Sequence, residues 1–499
     1  MWLLLVGILA LVYWLWKPFY WKGKGVKYLV PYPLIGNSMG LITKGNSTFR
    51  RDLYYAFPDE KMFGFHLFTQ PILCIRDPEI AVDVFVKDFE HFTANGLGSN
   101  QEYDLSGGNI LFLHGTQWKE MRNKISPFFT PAKVKAMMNS IDVTMPKAVK
   151  ILEENLRAGS ACDIGNLFTR MTNDVITQAC FGIESDAFEK NSAFLPLADL
   201  FFSPHTNVMF TIKAVSQSLF KFLRLQSFDL DSSLFLKRIM KNLVEYRKEN
   251  NVQGHDFVQG IIEILDKEHR TVDEERMKKI EYYPDGTRVP KFDFDELFLQ
   301  ALIIFIGGVE STASTMTWIF YELAKNQEMQ DRCREEVMDV VKRTGSPLKL
   351  DQQNEIPTVL GAINEALRMY PAFEINSRIC TKTYTFSDNG LTIEPGQTLW
   401  FPTGPYQRDA KHFPDPDTFD PLRWQGEKPG LFTTFGLGPR LCLGKSFALS
   451  QMILVVSRFL QNYKFTLNSK TKVPVRPHER RPINSPSSPV LLDISRIVD

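Results

Sequence analysis

Thr434-Phe435-Gly436-Leu437-Gly438-Pro439-Arg440-Leu441-Cys442-Leu443-Gly444-Lys445 is the stretch from which the fold is read. Gly436, Gly438 and Gly444 surround one cysteine and permit the close backbone approach and positive φ that a side chain disfavours. From Leu443 onward the sequence LGKSFALSQMILVVSRFL turns apolar and helical, so Cys442 stands just before a helix N-terminus. There the helix dipole and free N–H groups favour a thiolate. A thiolate held by N–H donors beneath an aromatic such as Phe435 suits an axial ligand of haem iron, because the donors tune its electron donation. For one cysteine in a Gly-rich loop the ordinary reading is a buried structural thiol. The choice therefore rests on what the rest of the chain supplies.

The chain has 499 residues, 44% apolar and 23% charged, which excludes a disordered polymer and leaves ample material for a core. Length alone is compatible with several domains or one large enzyme body. Lys and Arg number 58 against 57 Asp and Glu, a net charge of +1 that removes the electrostatic argument for a nucleic-acid partner. The six cysteines (74, 162, 180, 333, 380 and 442) include no CxxC and no close pair, so neither a disulfide scaffold nor a zinc cluster is expected. Any cysteine chemistry rests on one thiol.

Upstream, MWLLLVGILALVYWLW carries no charge and is followed by Lys17, Lys22, Lys24 and Lys27. No basic segment precedes it and no small-residue cleavage site follows, so it reads as an uncleaved membrane anchor over 1–21, with Trp14, Trp16, Phe19, Tyr20 and Trp21 as an interfacial aromatic belt. The lysines place the body on the cytosolic side. Residues 22–37 form a basic, Pro-restricted hinge and 38–499 a single catalytic body. Residues 60–76 suit a β-hairpin breaking at Gln70-Pro71. Amphipathic spacing predicts helices over 142–157, 233–250, 256–270 and 319–343, strand signals return at 379–401 and 463–494, and 278–293 reads as a surface loop. The fold class is mainly α with small β-sheets.

The loop resembles the haem-binding signature F-x-x-G-x-R-x-C-x-G of the cytochrome P-450 superfamily, matched at Phe435, Gly438, Arg440, Cys442 and Gly444. The resemblance spans almost the whole chain and is strongest to animal microsomal members, in the clan that holds many arthropod detoxification enzymes. It implies the cytochrome P-450 fold and haem b (iron protoporphyrin IX), with Cys442 as the iron ligand and Arg440 on a propionate. Glu365-Ala366-Leu367-Arg368 is similar to the family's ExxR pair, completed by Arg423 of Pro421-Leu422-Arg423-Trp424, where relatives usually have Pro-Glu-Arg-Phe. Its implied role is structural, a buried charge network that locks the haem-binding core. Trp118 and Arg122, one helical turn apart, resemble the WxxxR pair, and Arg378 matches another propionate-binding arginine.

Leu297–Thr312 is nearly all apolar, yet holds Gly307-Gly308, which costs roughly 1 kcal/mol per glycine in a helix interior. A small molecule pressed against the helix would need that room. The segment resembles (A/G)-G-x-(D/E)-T-(T/S), which delivers protons so that the oxygen–oxygen bond breaks heterolytically. The implied catalytic residues are Glu310, Ser311 and Thr312, with Ser311 where the family usually has Thr. Serine keeps the hydroxyl but loses the methyl that fixes its rotamer, so poorer coupling and more released peroxide are expected.

By the same resemblance the substrate is enclosed by about 97–113, 198–225, 297–312, 372–378 and 482–488, with Phe112, Phe201, Phe202, Phe210, Leu302, Phe305 and Ile483 as apolar walls. Glu374 and Asn376 are polar there: Glu374 either anchors a hydroxyl or amine of the substrate or points into a solvated turn. No Gly-rich dinucleotide loop follows a strand, so electrons come from a partner. Lys119, Arg122, Lys124, Lys133, Lys135 and Lys445 form a basic patch for an acidic flavoprotein, which the resemblance names as NADPH-cytochrome reductase, with cytochrome b5 optional. The expected reaction is insertion of one atom of dioxygen into a lipophilic small molecule (xenobiotic, steroid or fatty-acid-like) at the endoplasmic reticulum membrane. A haem-thiolate isomerase or dehydratase acting on a peroxide, and a membrane-tethered haem protein without turnover, are the alternatives.

Overall fold

The computed structural model describes the chain except residues 1, 17–18, 33–34, 97–100, 102, 199–203, 216, 272–279, 428 and 498–499. The apolar start forms α1 (Trp2–Trp16), with Trp2, Leu4, Leu5, Val6, Ile8 and Leu11 exposed. At 1.5 Å per residue its 15 residues reach about 22 Å, short of the ~30 Å hydrocarbon core of a bilayer.

The expected anchor boundary at residue 21 is corrected. Trp21 is fully buried, its Nε1 donates to the Phe65 carbonyl at 3.2 Å, and its ring fills the space a Gly64 side chain would occupy. Tyr20 is tied by its hydroxyl to Gln397. Both residues belong to the body, because a close-packed indole beside a glycine is worth more than an interfacial position. The chain after it is strapped on as well: Leu29 N–H donates to Gly64 O and Gly64 N–H to Lys27 O.

After α2 (Asn46–Tyr54) comes the hairpin of β1 (Met62–Leu67) and β2 (Gln70–Ile75). Its turn is Phe68-Thr69, with Phe68 at φ 52°, so Gln70-Pro71 opens β2 rather than making the break. The helical body is α3 (Gly115–Ile125), α4 (Asn139–Ala158), α5 (Ile164–Phe181), α6 (Pro204–Val215), α7 (Leu230–Glu249), α8 (Phe257–Thr271), α9 (Phe294–Lys325), α10 (Gln327–Thr344) and α11 (Pro357–Met369). The stretch read as one helix over 319–343 is two. Asn326 ends α9 and its side chain accepts from Met329 N–H, which caps α10.

Then follow β3 (Asn376–Ile379), β4 (Thr398–Phe401), α12 (Lys445–Asn462), β5 (Tyr463–Leu467) and β6 (Leu491–Arg496). One sheet runs β1-β2-β4-β3, with β2 and β4 parallel and the other pairs antiparallel. A second is made of Cys162–Asp163, β6 and β5. The fold is mainly α with small sheets, as the sequence predicts. α9, capped at its start by Asp293, is apolar on nearly all sides because it threads the core against α5. Its composition would suit a membrane span, and its burial makes it the core helix instead.

Candidate active site

The cysteine loop is shaped by its glycines. Gly438 holds φ 66°, and a Cβ there would lie 2.0 Å from the carbonyl oxygen of Phe85, so no side chain fits. Cys442 N–H donates to Phe435 O at 2.9 Å, closing the turn, and Gly444 precedes the first residue of α12. Lys445 places its ammonium 5.8 Å from the Phe435 ring centre. Of the six cysteines Cys442 is the exposed one. Burial pushes the other thiols up, Cys162 to about 12 and Cys380 to about 11, and leaves them inert. Although its side chain borders open space, Cys442 lies deep among protein atoms whose desolvation raises its thiol, while the N–H of Gly444 and the charges of Arg122 and Lys445 pull it back toward the thiolate.

Three arginines gather round this loop. Arg122 on α3 donates to Leu441 O at 3.0 Å, Arg378 on β3 reaches Leu437 O at 3.4 Å, and Arg440 donates to Thr93 O and Leu113 O at 2.7 and 2.5 Å. Arg440 lies over the Trp118 ring at 4.4 Å and Arg378 over the Phe85 ring at 4.6 Å. Among the described residues no carboxylate pairs with any of the three, and Arg378 Nε is buried without a partner. Burial pulls Arg378 down to about 9, Arg122 down too, and Arg440 well below its ordinary value with the other two arginines adding to the push. A guanidinium does not give up its proton in a protein, so this downward pull marks uncompensated positive charge that calls for an anion. Two carboxylates of a planar macrocycle, as on haem, fit that donor set, and a soft thiol beside them fits its iron.

Glu365 and Arg368 lie on one face of α11, both wholly buried. The pair is bidentate, Arg368 Nε to Oε2 at 2.9 Å and Nη2 to Oε1 at 2.8 Å. Arg423 Nε (3.1 Å), the N–H of Asp420 (3.1 Å) and the Trp424 indole (2.9 Å) also donate to Glu365. Trp424, the departure from the usual Phe, adds a hydrogen bond that phenylalanine cannot make. Arg368 Nη1 donates to Gln407 O, and the amide of Gln407 receives Thr433 N–H and the Thr434 hydroxyl. The charge pair thereby holds the start of the cysteine loop.

On α9 the two glycines do different things. Nothing stands within 4 Å of a Cβ built at Gly307, whereas at Gly308 it would meet Ile176 Cδ1 of α5 at 2.7 Å. Only Gly307 faces open space; the expectation that both do is corrected, since adjacent residues on a helix diverge by about 100°. Ile304 and Ser311 share the open side, and Ser311 Oγ donates to Gly307 O at 2.7 Å. Thr312, one turn beyond Gly308, is buried on the packed side and is not on the open face. Glu310 is buried and lies 3.6 Å from Arg481 Nη1. Gly307→Ala should raise the melting temperature, by the ~1 kcal/mol a helix gains from alanine. Gly308→Ala should lower it, since crowding a packed contact costs about 1–3 kcal/mol. Thermal unfolding of both variants checks this; equal shifts would contradict the assignment.

The expected pocket walls are largely spent on packing. Phe305 is fully buried against Phe181 and Phe194, and Leu302, Phe112 and Ile483 are as enclosed. Leu302 and Phe305 are taken up by the core because most of α9's circumference is buried. Phe201 and Phe202 lie outside the described residues. Phe112, which packs against Phe210, sits with Phe220 over a buried ion pair: Lys213 Nζ is 3.5 Å from Asp104, 4.3 Å from the Phe112 ring centre and 5.1 Å from that of Phe220. Burial pulls the Lys213 ammonium down against the pull of Asp104.

Glu374 is neither in a solvated turn nor free for a ligand. It is buried, 3.1 Å from Arg50 on α2, and receives Asn484 Nδ2 at 3.4 Å. Asn376 donates to Thr403 Oγ1 and Thr433 O, which ties β3 to the cysteine loop. The basic patch is thinner than expected: Arg122 turns to the loop, Lys124 pairs with Glu268, Lys135 with Asp351, and Lys133 sits over the Phe128 ring. Sequence reading overlooked Ile304, Arg481 and Lys213. Only Ile304 had a signal, its spacing of three and seven from Gly307 and Ser311.

Comparison with known proteins agrees with this geometry. The family model for cytochrome P450 matches residues 27–493. A protein named probable cytochrome P450 6a14 from Drosophila melanogaster is 30% identical over 475 residues, 91% of each chain. Cytochrome P450 6A1 of Musca domestica is 28% identical over 98% of this chain and 96% of its own, and probable cytochrome P450 9f2 of Drosophila melanogaster 28% over 91% of each.

Proposed function

The chain belongs to the cytochrome P450 family, the haem-thiolate monooxygenases, and on that premise we propose that it inserts one oxygen atom from dioxygen into a lipophilic small molecule, with electrons from NADPH through a membrane reductase. The observation that carries the reading is the exposed Cys442 thiol beside buried Arg378 and half-buried Arg122 and Arg440, none of which has a carboxylate partner among the described residues. When bound, haem supplies the redox-active iron that dioxygen activation needs.

Cys442 is the ligand, its charge tuned by the N–H groups at the start of α12. Arg122, Arg378 and Arg440 hold the propionates, with Trp118 stacked under Arg440. Gly307 leaves room for dioxygen and substrate. Ser311 keeps its proton on Gly307 O and must rotate to hand it on, while Glu310 is held close to Arg481. These two groups move protons in the proposed reaction and favour it over a peroxide isomerase or an inert haem carrier. α1 tethers the body to the endoplasmic reticulum membrane, and exposed Lys119 on α3 contributes to docking of the reductase, with cytochrome b5 as a second donor.

A carbon-monoxide difference spectrum of the membrane-bound protein, reduced by NADPH with microsomal reductase and then by dithionite, tests the reading. A strongly red-shifted Soret band with NADPH is expected. A band with dithionite alone would favour peroxide rearrangement, and no band with either would remove the haem-thiolate assignment.

A further inference from the structure

The segment between α8 and α9, which reads in the sequence as a surface turn, is a small hairpin that reaches back to the start of α3. Tyr282 is bridged to Arg288, Tyr283 N–H donates to Thr287 O, and Asp285-Gly286 is the tip. Asp285 Oδ2 accepts from the N–H and hydroxyl of Thr116 at 2.8 and 2.7 Å, and Oδ1 from those of Thr287 at 3.0 and 2.6 Å. The Thr287 hydroxyl in turn receives Gln117 N–H at 3.4 Å. The residue preceding the helix, His114, makes no capping bond with its side chain. An acid 169 residues away in sequence therefore caps α3.

Three further observations show that this contact is built rather than incidental. Gly115 holds φ +57°, and a Cβ there would stand 2.6 Å from Asp285 Oδ2 and 2.9 Å from Thr287, so the helix start is kept bare for the hairpin. Burial pushes the Asp285 carboxyl up, and the bonds from Thr287 and Thr116 overcome it to hold the group far below the ordinary carboxylate range. On its other side the hairpin is fastened to the first turn of α9, where Arg288 approaches Glu296 at 3.6 Å and Glu296 receives the N–H groups of Lys291 and Phe292.

Downstream of the cap, α3 carries Trp118 at its fourth residue and Arg122 one turn later, both in the arginine cluster. We propose that Asp285 is a positioning residue: from outside the helix it fixes the first turn of α3 and so sets Trp118 and Arg122 against the haem propionates. The inference rests on the haem reading above.

The test is the rate of haem transfer from detergent-solubilised full-length holoprotein to apomyoglobin. Asp285→Ala should lose haem up to about tenfold faster, the factor corresponding to one helix cap. Gly115→Ala, which pushes the hairpin away without removing the acid, should do the same, and Asp285→Asn, which keeps one acceptor, should fall between. Asp229→Ala removes a cap, on Ser232 N–H at 2.9 Å, from α7, which packs on α8 and α9 rather than on the cysteine loop or α3, and should leave the rate at the wild-type value. Equal rates for Asp285→Ala and Asp229→Ala, or wild-type rates in Asp285→Ala and Gly115→Ala, would overturn the proposal. If Asp285→Ala does not accumulate, Gly115→Ala and Asp285→Asn decide it. A wild-type protein that takes up no haem would instead refute the haem reading.

Discussion

Glu365→Ala should accumulate as protein without haem. The carboxylate is wholly buried and receives five hydrogen bonds, two from Arg368 and one each from Arg423, Trp424 and the Asp420 backbone. Alanine leaves the guanidinium of Arg368, also wholly buried, without its counter-charge. Breaking such a pair costs on the order of 3–5 kcal/mol, against a total stability of about 5–15 kcal/mol for a folded protein. The damage spreads along a defined route, since Arg368 also holds Gln407, which holds Thr433 and Thr434 at the head of the cysteine loop. The check is the ratio of Soret to protein absorbance together with far-ultraviolet circular dichroism. Normally folded, haem-loaded Glu365→Ala protein would contradict the role. Trp424→Phe, which removes one neutral donor of five, should cost about 1 kcal/mol and leave haem content near normal.

Cys442→Ser should fold yet give no thiolate-type carbon-monoxide band. The loop's closing bond runs from the backbone N–H of residue 442 to Phe435 O, and neither depends on the sulfur. No other cysteine can substitute: the remaining five are buried, with thiols pushed up by desolvation. Thermal unfolding should therefore change little while the red-shifted band disappears under either reductant. A retained band would move the ligand assignment elsewhere.

The cysteine loop was readable because each glycine there answers a local demand: Gly438 must pass Phe85 with no side chain, and the helix that follows announces itself by apolar spacing. The Glu365, Arg368 and Arg423 network was readable through its motif. The two glycines of α9 were not separable in sequence, since identical neighbours differ only in which side of the helix meets α5. Phe305 and Leu302 were placed as pocket walls by the family resemblance and their apolar character, and a helix buried on nearly all sides hides which of its apolar residues face open space. Glu374 was misplaced for a related reason, because its partner Arg50 is 324 residues away.

Local chemistry was written in the residues themselves: the glycine-bounded thiol, the charge motif on one helix face, the hairpin, and an apolar start followed by lysines. Tertiary structure decided which polar groups are spent on one another and which remain for a ligand. It pulled Trp21 out of the expected anchor, buried Lys213 with Asp104, turned Thr312 away from the open face, and set Asp285 on the first turn of α3. The reason is that a buried polar or charged group must find its partner wherever the chain brings one, and that distance is not written in local spacing.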